Sequence, residues 1–278
     1  MKLCNVEGRA AVAIDGRLVD VERASDGRLS SDPMDAVADL DALRDLELPG
    51  DAPGVDETRL GPPVPRPQKI IAVGLNYRSH AEEQGTPIPT EPVLFAKLPN
   101  ALTGPHGDIA IPRGQEQVDF EVELVFVIGK RGKDISESDA WDYVAGYTVG
   151  QDVSDREEQF KGLKQFTLAK SFDTYAPIGP YLVTLDELDD REDLRLTCSV
   201  DGEMMQDSRT SDFIFGLPRM VSDASRICTL EPGDLFFTGT PSGVGVFRDP
   251  PIFLRPGTVV ESEIEGIGHM VNRCVAGP

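Results

Sequence analysis

The sequence predicts a β-rich α+β protein. From Lys69 onward, short apolar runs rich in β-branched and aromatic residues are separated by glycine and proline, a pattern typical of strands and turns. Helical periodicity is clear in only a few places there, notably Ser136 to Val144 and Ser211 to Leu230, and Pro218 is expected to kink the second. The predicted strands are KIIAVGLN, PVLFAK, FEVELVFVIG, YVAGYTVGQDV, IGPYLVT, LRLTCSVDG, LFFTG and VVESEIEG.

The first 66 residues are predicted to form a small N-terminal domain with its connector. The segment AAVAIDGRLVDV indicates a β-hairpin that turns at Asp15 and Gly16, and the acidic stretch DAVADLDALRDLELPGD has helical spacing. The following GPPVPRP holds four prolines in seven positions, which favours an extended connector. We therefore expect one unit over residues 1–66 and a larger one, with all the candidate chemistry, over residues 67–278.

The charge balance excludes several classes of partner. The chain has 278 residues, with 27 Lys and Arg against 48 Asp and Glu, so its formal net charge is −21. Such a surface repels phosphate backbones and anionic lipid heads, and no run of basic residues offsets it, so neither nucleic acid nor a membrane is an expected partner. Either codon usage in a GC-rich genome or adaptation to a salty cytoplasm would explain the acidity.

Cysteine spacing and hydropathy predict a soluble cytoplasmic protein. Cys4, Cys198, Cys228 and Cys274 show no short paired spacing, which argues against a zinc ribbon, a redox CxxC motif or a disulfide framework. They are expected to be free thiols in a reducing compartment. No apolar stretch approaches the roughly 18 residues that a membrane span requires.

Three carboxylates suggest a metal site. In VDFEVELVFVIGK, Glu121 and Glu123 are two positions apart, so on a strand they share one face. Because this strand is apolar on both faces it is expected to be buried, and buried carboxylates need a positive partner. Alternatively, the start of the strand projects into water. Asp152, at the end of YVAGYTVGQD, adds a third carboxylate, and such an all-oxygen set suits Mg²⁺, Mn²⁺ or Ca²⁺.

A histidine and a glutamate form a candidate acid–base pair. In LNYRSHAEEQG, Ser79 and Glu82 match a capping box, and His80 and Glu83 fall on one side of the predicted helical turn. A carboxylate beside an imidazole orients it and raises its basicity, as a water-activating base requires. The alternative is a surface helix decorated with acidic residues.

A second predicted helix follows Asp152 and presents candidate substrate ligands. Ser154 and Glu157 match a capping box that would start it. Arg156 and Gln159 then lie three positions apart near its N-terminal end, where the backbone favours anions.

Lys170 and a glycine-rich loop complete the candidate set. Lys170, in FTLAKSFDTYAP, is flanked by apolar and hydroxyl residues; it is a candidate oxyanion stabiliser or an ordinary solvated lysine. The loop TGTPSGVG lacks the GK[ST] ending of a phosphate loop. It is instead expected to bring backbone amides and Thr240 to a small carboxylate.

Six motifs in order resemble the fumarylacetoacetate hydrolase family over about residues 69–275. They are N-Y-x-x-H-x-x-E, F-E-V-E-L, G-Y-x-x-x-x-D, A-K-S-F-D-T, Q-D-S-R-T-S-D-F-I-F and T-G-T-P-x-G-V-G. The resemblance implies a mixed β-sheet roll with a small N-terminal α/β domain, and a homodimer. It also implies Mg²⁺ or Mn²⁺, with Ca²⁺ as a substitute.

Carried over position by position, the resemblance assigns a role to each candidate, and no ligand or dyad position departs from the family pattern. It implies a metal site, a water-activating dyad, an active-site lysine, and residues that hold the substrate carboxylate and a bound water. In that order these are Glu121, Glu123 and Asp152; His80 and Glu83; Lys170; and Arg156, Gln159 and Thr240.

The expected activity is metal-dependent hydrolysis of a carbon–carbon bond in a 2,4-dioxo acid. The substrate would be an acylpyruvate or a fumarylacetoacetate-like acid from aromatic or sugar-acid catabolism, and the products pyruvate or a related enolate and a carboxylic acid. An isomerase, an oxaloacetate decarboxylase or a ureidoglycolate-type lyase of the same family is the alternative, and a non-catalytic metal- or carboxylate-binding protein is a third hypothesis. Residues 82–92 are expected to form a lid over the substrate.

Overall fold

The computed structural model describes residues 1–44, 46–47, 49–50, 52–162 and 165–278. The strands of this part, β1 to β18 in chain order, are Lys2–Val6, Arg9–Ile14, Arg17–Asp20, Leu60–Gly61, Ile70–Gly74, Val93–Lys97, Leu102–Thr103, Ile109–Ile111, Val118–Asp119, Val122–Ile128, Val144–Gln151, Ser154–Asp155, Ala176–Val183, Arg195–Val200, Glu203–Arg209, Leu235–Phe237, Val259–Ile264 and Gly268–Ala276. The helices, α1 to α7, are Val21–Ala24, Pro33–Ala38, Leu40–Leu43, Arg78–Glu83, Arg156–Phe160, Phe166–Ala169 and Leu217–Ile227.

The predicted β-rich α+β class is confirmed. Each of the eight predicted runs contains a strand, namely β5, β6, β10, β11, β13, β14, β16 and β17. The predicted hairpin is formed by β2 and β3, and both turn residues, Asp15 and Gly16, have positive φ of 48° and 72°. A two-residue turn of this conformation matches the twist of the paired strands.

Two sheets pack against each other. The larger has eleven strands in the order β3-β2-β1-β13-β11-β10-β16-β5-β6, with β4 beside β1 and β7 beside β13. It is mixed, since β16 pairs in parallel with β5 while β10 and β11 are antiparallel. The second sheet has the order β15-β14-β17-β18-β8, and its β14, β17 and β18 contact β10, β11 and β13. All seven residues of β10 are consequently buried.

The N-terminal strands extend the larger sheet. Strand β1 pairs antiparallel with β13, with Lys2 opposite Val183. Leu3, Cys4 and Val64 belong to the same buried apolar cluster as the central strands. The division into units over residues 1–66 and 67–278 stays a prediction.

The helices differ from the predicted ones in position. Helix α7 begins at Leu217, so Pro218 lies in its first turn, where proline needs no kink; the predicted kink is wrong. Only Ala140–Tyr143, a 3-10 helix, is helical within the predicted segment 136–144. The acidic stretch forms α2 and α3, while its residues 45, 48 and 51 lie outside the described residues. None of the described helices has the length and hydropathy needed to cross a membrane.

Candidate active site and metal centre

Three buried carboxylates meet at one end of the central strand pair. In the antiparallel ladder Val122 is opposite Gln151, so Glu121 just before β10 faces Asp152 just after β11. The N–H of Asp152 donates to the carbonyl of Glu121 at 2.9 Å and extends this pairing. One oxygen from each of Glu121, Glu123 and Asp152 lies within 4.8 Å of the others.

Two of the predicted cations contact this cluster. Lys170 Nζ donates to Glu121 Oε2 at 2.8 Å and to Asp152 Oδ2 at 2.5 Å. Arg156 Nη2 lies 2.7 Å from Glu121 Oε1. Both cations are buried, so each pair is largely shielded from solvent.

A third cation, Lys97, was missed in the sequence. It ends β6, its side chain is fully buried, and its Nζ donates to Asp152 Oδ1. The available signal was a single lysine that closes the apolar run PVLFAK. A buried lysine requires a charged or hydrogen-bonded partner, but nothing in that run indicates where the partner lies.

The surroundings shift the carboxylates in opposite directions. Burial alone would raise the pKa of Glu121, but the charges of Lys170 and Arg156 outweigh it and lower that pKa to about 2. Burial raises the pKa of Glu123 well above its usual range, and the like charges of Asp152 and Glu121 add to this. The cluster is therefore short of positive charge at Glu123.

The donor set fits a hard divalent cation. All three candidate ligands are carboxylates, which Mg²⁺ and Mn²⁺ favour, and they converge in a buried position. Among the described residues no lysine, arginine or histidine forms an ion pair with Glu123. A cation bound among these three side chains would supply the positive charge that Glu123 lacks.

His80 and Glu83 are hydrogen-bonded to each other. His80 Nδ1 and Glu83 Oε2 are 2.8 Å apart across one turn of α4, and the N–H of Gly243 donates to Glu83 Oε1 at 2.8 Å. An ionised carboxylate only accepts, so we assign the proton to Nδ1. His80 Nε2 then carries the lone pair of the ring, and Gln84 Nε2 lies 2.7 Å from it.

Both predicted capping boxes are wrong in detail. Helix α4 begins at Arg78, so Ser79 lies inside the first turn and its N–H donates to Asp212 Oδ2 at 3.0 Å. Helix α5 begins at Arg156, and Asp155, not Ser154, accepts a hydrogen bond from a first-turn amide. The first-turn N–H groups of α4 and α5 are satisfied by other residues than those predicted. Asp212, distant in sequence, accepts one in α4, and Asp155, one position after Ser154, accepts one in α5.

The glycine-rich loop binds carboxylates of the protein itself. The N–H of Gly239 donates to Glu123 Oε2 at 2.8 Å, and those of Gly245 and Val246 donate to Asp119 at 2.7 and 3.0 Å. With the Gly243 contact, four amides are used in this way. These four amides serve carboxylates of the protein, and the expectation that the loop also brings backbone amides to a small carboxylate ligand stays a prediction.

Thr240 is held by the protein through its hydroxyl group. The hydroxyl donates to the carbonyl of Val122 at 2.9 Å and accepts from Gln206 Nε2 at 2.8 Å. Its predicted contact with a substrate carboxylate stays a prediction.

Arg156 is fixed by a second missed residue, Asp119. Arg156 Nε donates to Asp119 Oδ2 at 2.8 Å, and its Nη1 donates to Gln159 Oε1 at 2.7 Å. Asp119 is fully buried and also accepts the loop amides, so it ties the loop to the guanidinium. Its partners are scattered along the chain, and no local motif marks it.

One cavity collects most of the predicted residues. Its volume is about 270 Å³, and Glu83 does not line it because it lies behind His80. Apolar and aromatic side chains, among them Val93, Phe95, Phe160 and Phe247, form another part of its wall. The predicted residues that line it are His80, Glu121, Glu123, Asp152, Arg156, Gln159, Lys170 and Thr240.

Comparison with known proteins yields close relatives. Residues 69–275 match the family model described as fumarylacetoacetate (FAA) hydrolase C-terminal. The Bos taurus protein "Oxaloacetate tautomerase FAHD2B, mitochondrial" is 48% identical over 214 residues, which cover 77% of this chain and 68% of the relative.

Solved structures agree over the full length. A candidate HpcE protein from Mycobacterium smegmatis has a TM-score of 0.93 and 43% identity, covering 100% of both chains. Maleylpyruvate hydrolase from Sphingobium sp. SYK-6, in complex with manganese(II) and pyruvate, has a TM-score of 0.83 and 29% identity, again over 100% of both chains. The family resemblance of the sequence motifs is thereby confirmed, and the chain belongs to the fumarylacetoacetate hydrolase family of enzymes.

Proposed function

We propose that the protein is a divalent-metal-dependent isomerase that interconverts the enol and keto forms of oxaloacetate or a closely similar 2-oxo acid. The observation that carries the proposal is the 48% identity to a bovine oxaloacetate tautomerase over 77% of this chain. The alternative set out from the sequence, isomerase or decarboxylase chemistry, is thus preferred to carbon–carbon bond hydrolysis.

The side chains in the cavity suit this proton transfer. His80 Nε2 is the base that takes a proton from C3 of the keto acid, while Glu83 accepts the hydrogen bond from Nδ1–H and stabilises the imidazolium that results. The proton returns to the 2-oxo oxygen, so atoms and charge balance. The buried cations Lys170 and Arg156 add positive potential where negative charge develops on oxygen.

A divalent cation bound by Glu121, Glu123 and Asp152 would supply Lewis-acid stabilisation of the enolate oxygen. We propose Mg²⁺ or Mn²⁺, with Ca²⁺ as a substitute. The Sphingobium relative carries manganese(II), which supports this choice. Metal analysis of the purified protein, with and without EDTA treatment, measures the preference.

Hydrolysis of a 2,4-dioxo acid is the second candidate. It is favoured by the His80–Glu83 pair, which is also suited to deprotonate a water molecule that attacks the distal carbonyl. The similarity to maleylpyruvate hydrolase, whose structure holds pyruvate, supports the same reaction class.

The deciding experiment compares three reactions of the Mg²⁺- or Mn²⁺-loaded protein. Ketonisation of enol-oxaloacetate is followed by loss of enol absorbance, decarboxylation by pyruvate formed from oxaloacetate, and hydrolysis by pyruvate released from acylpyruvates. We expect ketonisation well above the uncatalysed rate, abolished by EDTA and by Glu123→Ala and unchanged in Glu203→Gln, an exposed carboxylate on β15. Pyruvate release without ketonisation would favour the hydrolase instead, and no turnover in any arm would contradict both.

The homodimer and the cytoplasmic location also stay proposals. The bovine relative is named as mitochondrial, so the location needs direct measurement. Light scattering on the purified chain tests the dimer.

A further inference from the structure

We infer that Gln84 is a positioning residue for His80. The side-chain amide of Gln84 donates a hydrogen bond to the lone pair of His80 Nε2 and must move aside before Nε2 can accept a proton. The hydrogen bond between Gln84 and His80 does not depend on which reaction the protein catalyses. Its kinetic consequence rests on the proposed function.

The polarity of the contact follows from the groups on the other side of the ring. Glu83 Oε1 accepts the N–H of Gly243, and Glu83 Oε2 faces His80 Nδ1 at 2.8 Å. With the proton on Nδ1, Nε2 is an acceptor, so the Gln84 amide at 2.7 Å must be the donor. The same nitrogen that would take the substrate proton is thus already hydrogen-bonded.

The backbone around Gln84 is held in place, so uncapping is a side-chain rotation. The N–H of Gln84 donates to the carbonyl of His80 at 3.1 Å, that of Gly85 to Glu82 at 3.0 Å, and that of Thr86 to Ala81 at 3.0 Å. These bonds close the end of helix α4. Only the side chain of Gln84 can then leave Nε2 without breaking the helix end.

The side chain has somewhere to go. Gln84 is half-buried and lines the 270 Å³ cavity together with His80, Gln159 and Thr240. An amide that leaves the imidazole there retains two N–H donors, which suit a carboxylate or carbonyl oxygen of a bound 2-oxo acid. Substrate binding would therefore exchange one acceptor, His80 Nε2, for another on the substrate, and would free the base in the same movement.

The test uses Gln84→Met, which keeps the length of the side chain and removes the donor, with Gln84→Ala as a second variant. The chain has only three histidines, His80, His106 and His269, so long-range ¹H–¹⁵N spectra can resolve each ring nitrogen. We expect the His80 Nε2 resonance to move downfield in both variants, as for an acceptor that loses its donor. The other two histidines should not move, and Glu82→Gln should resemble wild type.

A second arm uses Mg²⁺ with oxalate, a stable dicarboxylate that resembles a 2-oxo acid enolate. Oxalate should move the His80 Nε2 resonance of the wild type in the same direction as Gln84→Met does, and have little effect on that resonance in the variant. In the ketonisation assay, Gln84→Met should raise KM about ten-fold, as for loss of one hydrogen bond to a charged group, while kcat falls less than KM rises.

Each arm has an outcome that overturns the inference. An unmoved His80 Nε2 resonance in both variants would show that Gln84 does not cap the base. Equal oxalate shifts in wild type and Gln84→Met would show that the amide is not displaced on binding. If wild type catalyses none of the reactions, the proposed function fails, yet the spectra of the metal-free protein still decide the capping contact.

Discussion

The main-chain N–H of Gly239 donates to Glu123 Oε2 at 2.8 Å, and this amide is the hydrogen-bond donor that the described residues offer to that carboxylate. Gly239 has φ of +91°, and a Cβ there would lie 2.8 Å from the Cβ of Asn76, so the close approach requires glycine. Glu121 and Asp152 each pair with two cations, whereas Glu123 pairs with none among those residues. Glu123 is therefore the carboxylate that most needs a metal ion.

The first prediction concerns Glu123→Gln. In EDTA, the glutamine amide replaces a buried negative charge that the like charges of Glu121 and Asp152 oppose. The variant should therefore be as stable as wild type or more stable, by up to about 2 kcal/mol. The stabilisation of wild type by millimolar Mg²⁺ or Mn²⁺ should be largely lost. Thermal unfolding with and without metal measures both effects, with Glu203→Gln, an exposed carboxylate on β15, as control. A normal metal-induced rise in Tm in Glu123→Gln would contradict the assignment.

The second prediction is a pH dependence. Burial and the neighbouring carboxylates raise the pKa of Glu123 in the folded protein above the ordinary 4.5, so the native state binds this proton more tightly than the unfolded chain does. The metal-free protein should therefore lose stability as pH rises from about 4.5 through the raised value, and regain it on acidification. Subtracting the profile of Glu123→Gln from that of wild type isolates this contribution. If wild type instead lost stability relative to Glu123→Gln on acidification, the prediction would be refuted.

The third prediction compares two glycines of similar conformation. Gly243 has φ of +104°, and a Cβ there would lie 2.2 Å from the carbonyl oxygen of Met205; Gly257 has φ of +101° and open space around it. Gly257→Ala should cost about 1 kcal/mol from backbone strain alone. Gly243→Ala should cost at least about 2 kcal/mol more and displace the amide from Glu83, with reduced turnover. Denaturant unfolding and ketonisation rates test this; equal losses of stability would show that the loop relaxes freely.

The sequence predicts the local elements of this fold and the carboxylates of the site, but not their long-range partners. Glu121 and Glu123 follow from the two-residue period of a strand, and Asp152 from its place at a strand end. Lys97 and Asp119 could not be found in this way, because their partners Asp152 and Arg156 lie 55 and 37 positions away.

The sheet order has the same limit. The pairing of Ile70 with Leu235 in parallel strands depends on packing over the whole domain, and strands of two residues such as β9 and β12 have no sequence period. Backbone donors such as Gly239 and Gly243 show only as glycines in a turn, so their carboxylate partners appear only once the chain is folded.

The fourth prediction is that Lys97 tunes the metal site through Asp152. Lys97→Met should lower the affinity for Mg²⁺ or Mn²⁺ about 10- to 100-fold, because Asp152 loses the ammonium that orients one of its oxygens while Lys170 still contacts the other. The matched control is Lys69→Met, since Lys69 also pairs with a buried aspartate, Asp234, at 2.8 Å. Both variants should lose stability, but only the first should bind metal weakly in calorimetry. Equal affinities would restrict Lys97 to a structural role.

The fifth prediction concerns thiol reactivity. Burial raises the pKa of Cys4, Cys198 and Cys274 to about 12 each, so at neutral pH their nucleophilic thiolate forms are scarce as well as inaccessible. Cys228, at the end of α7, is half-buried, and its Sγ lies 3.8 Å from the carbonyl of Ala224. Ellman's reagent should therefore modify one thiol rapidly in the native protein and four after denaturation, and Cys228→Ser should abolish the rapid phase. If a thiol still reacted rapidly in Cys228→Ser, a core strand would have to open on the timescale of the assay, since each of the remaining three cysteines lies within a sheet.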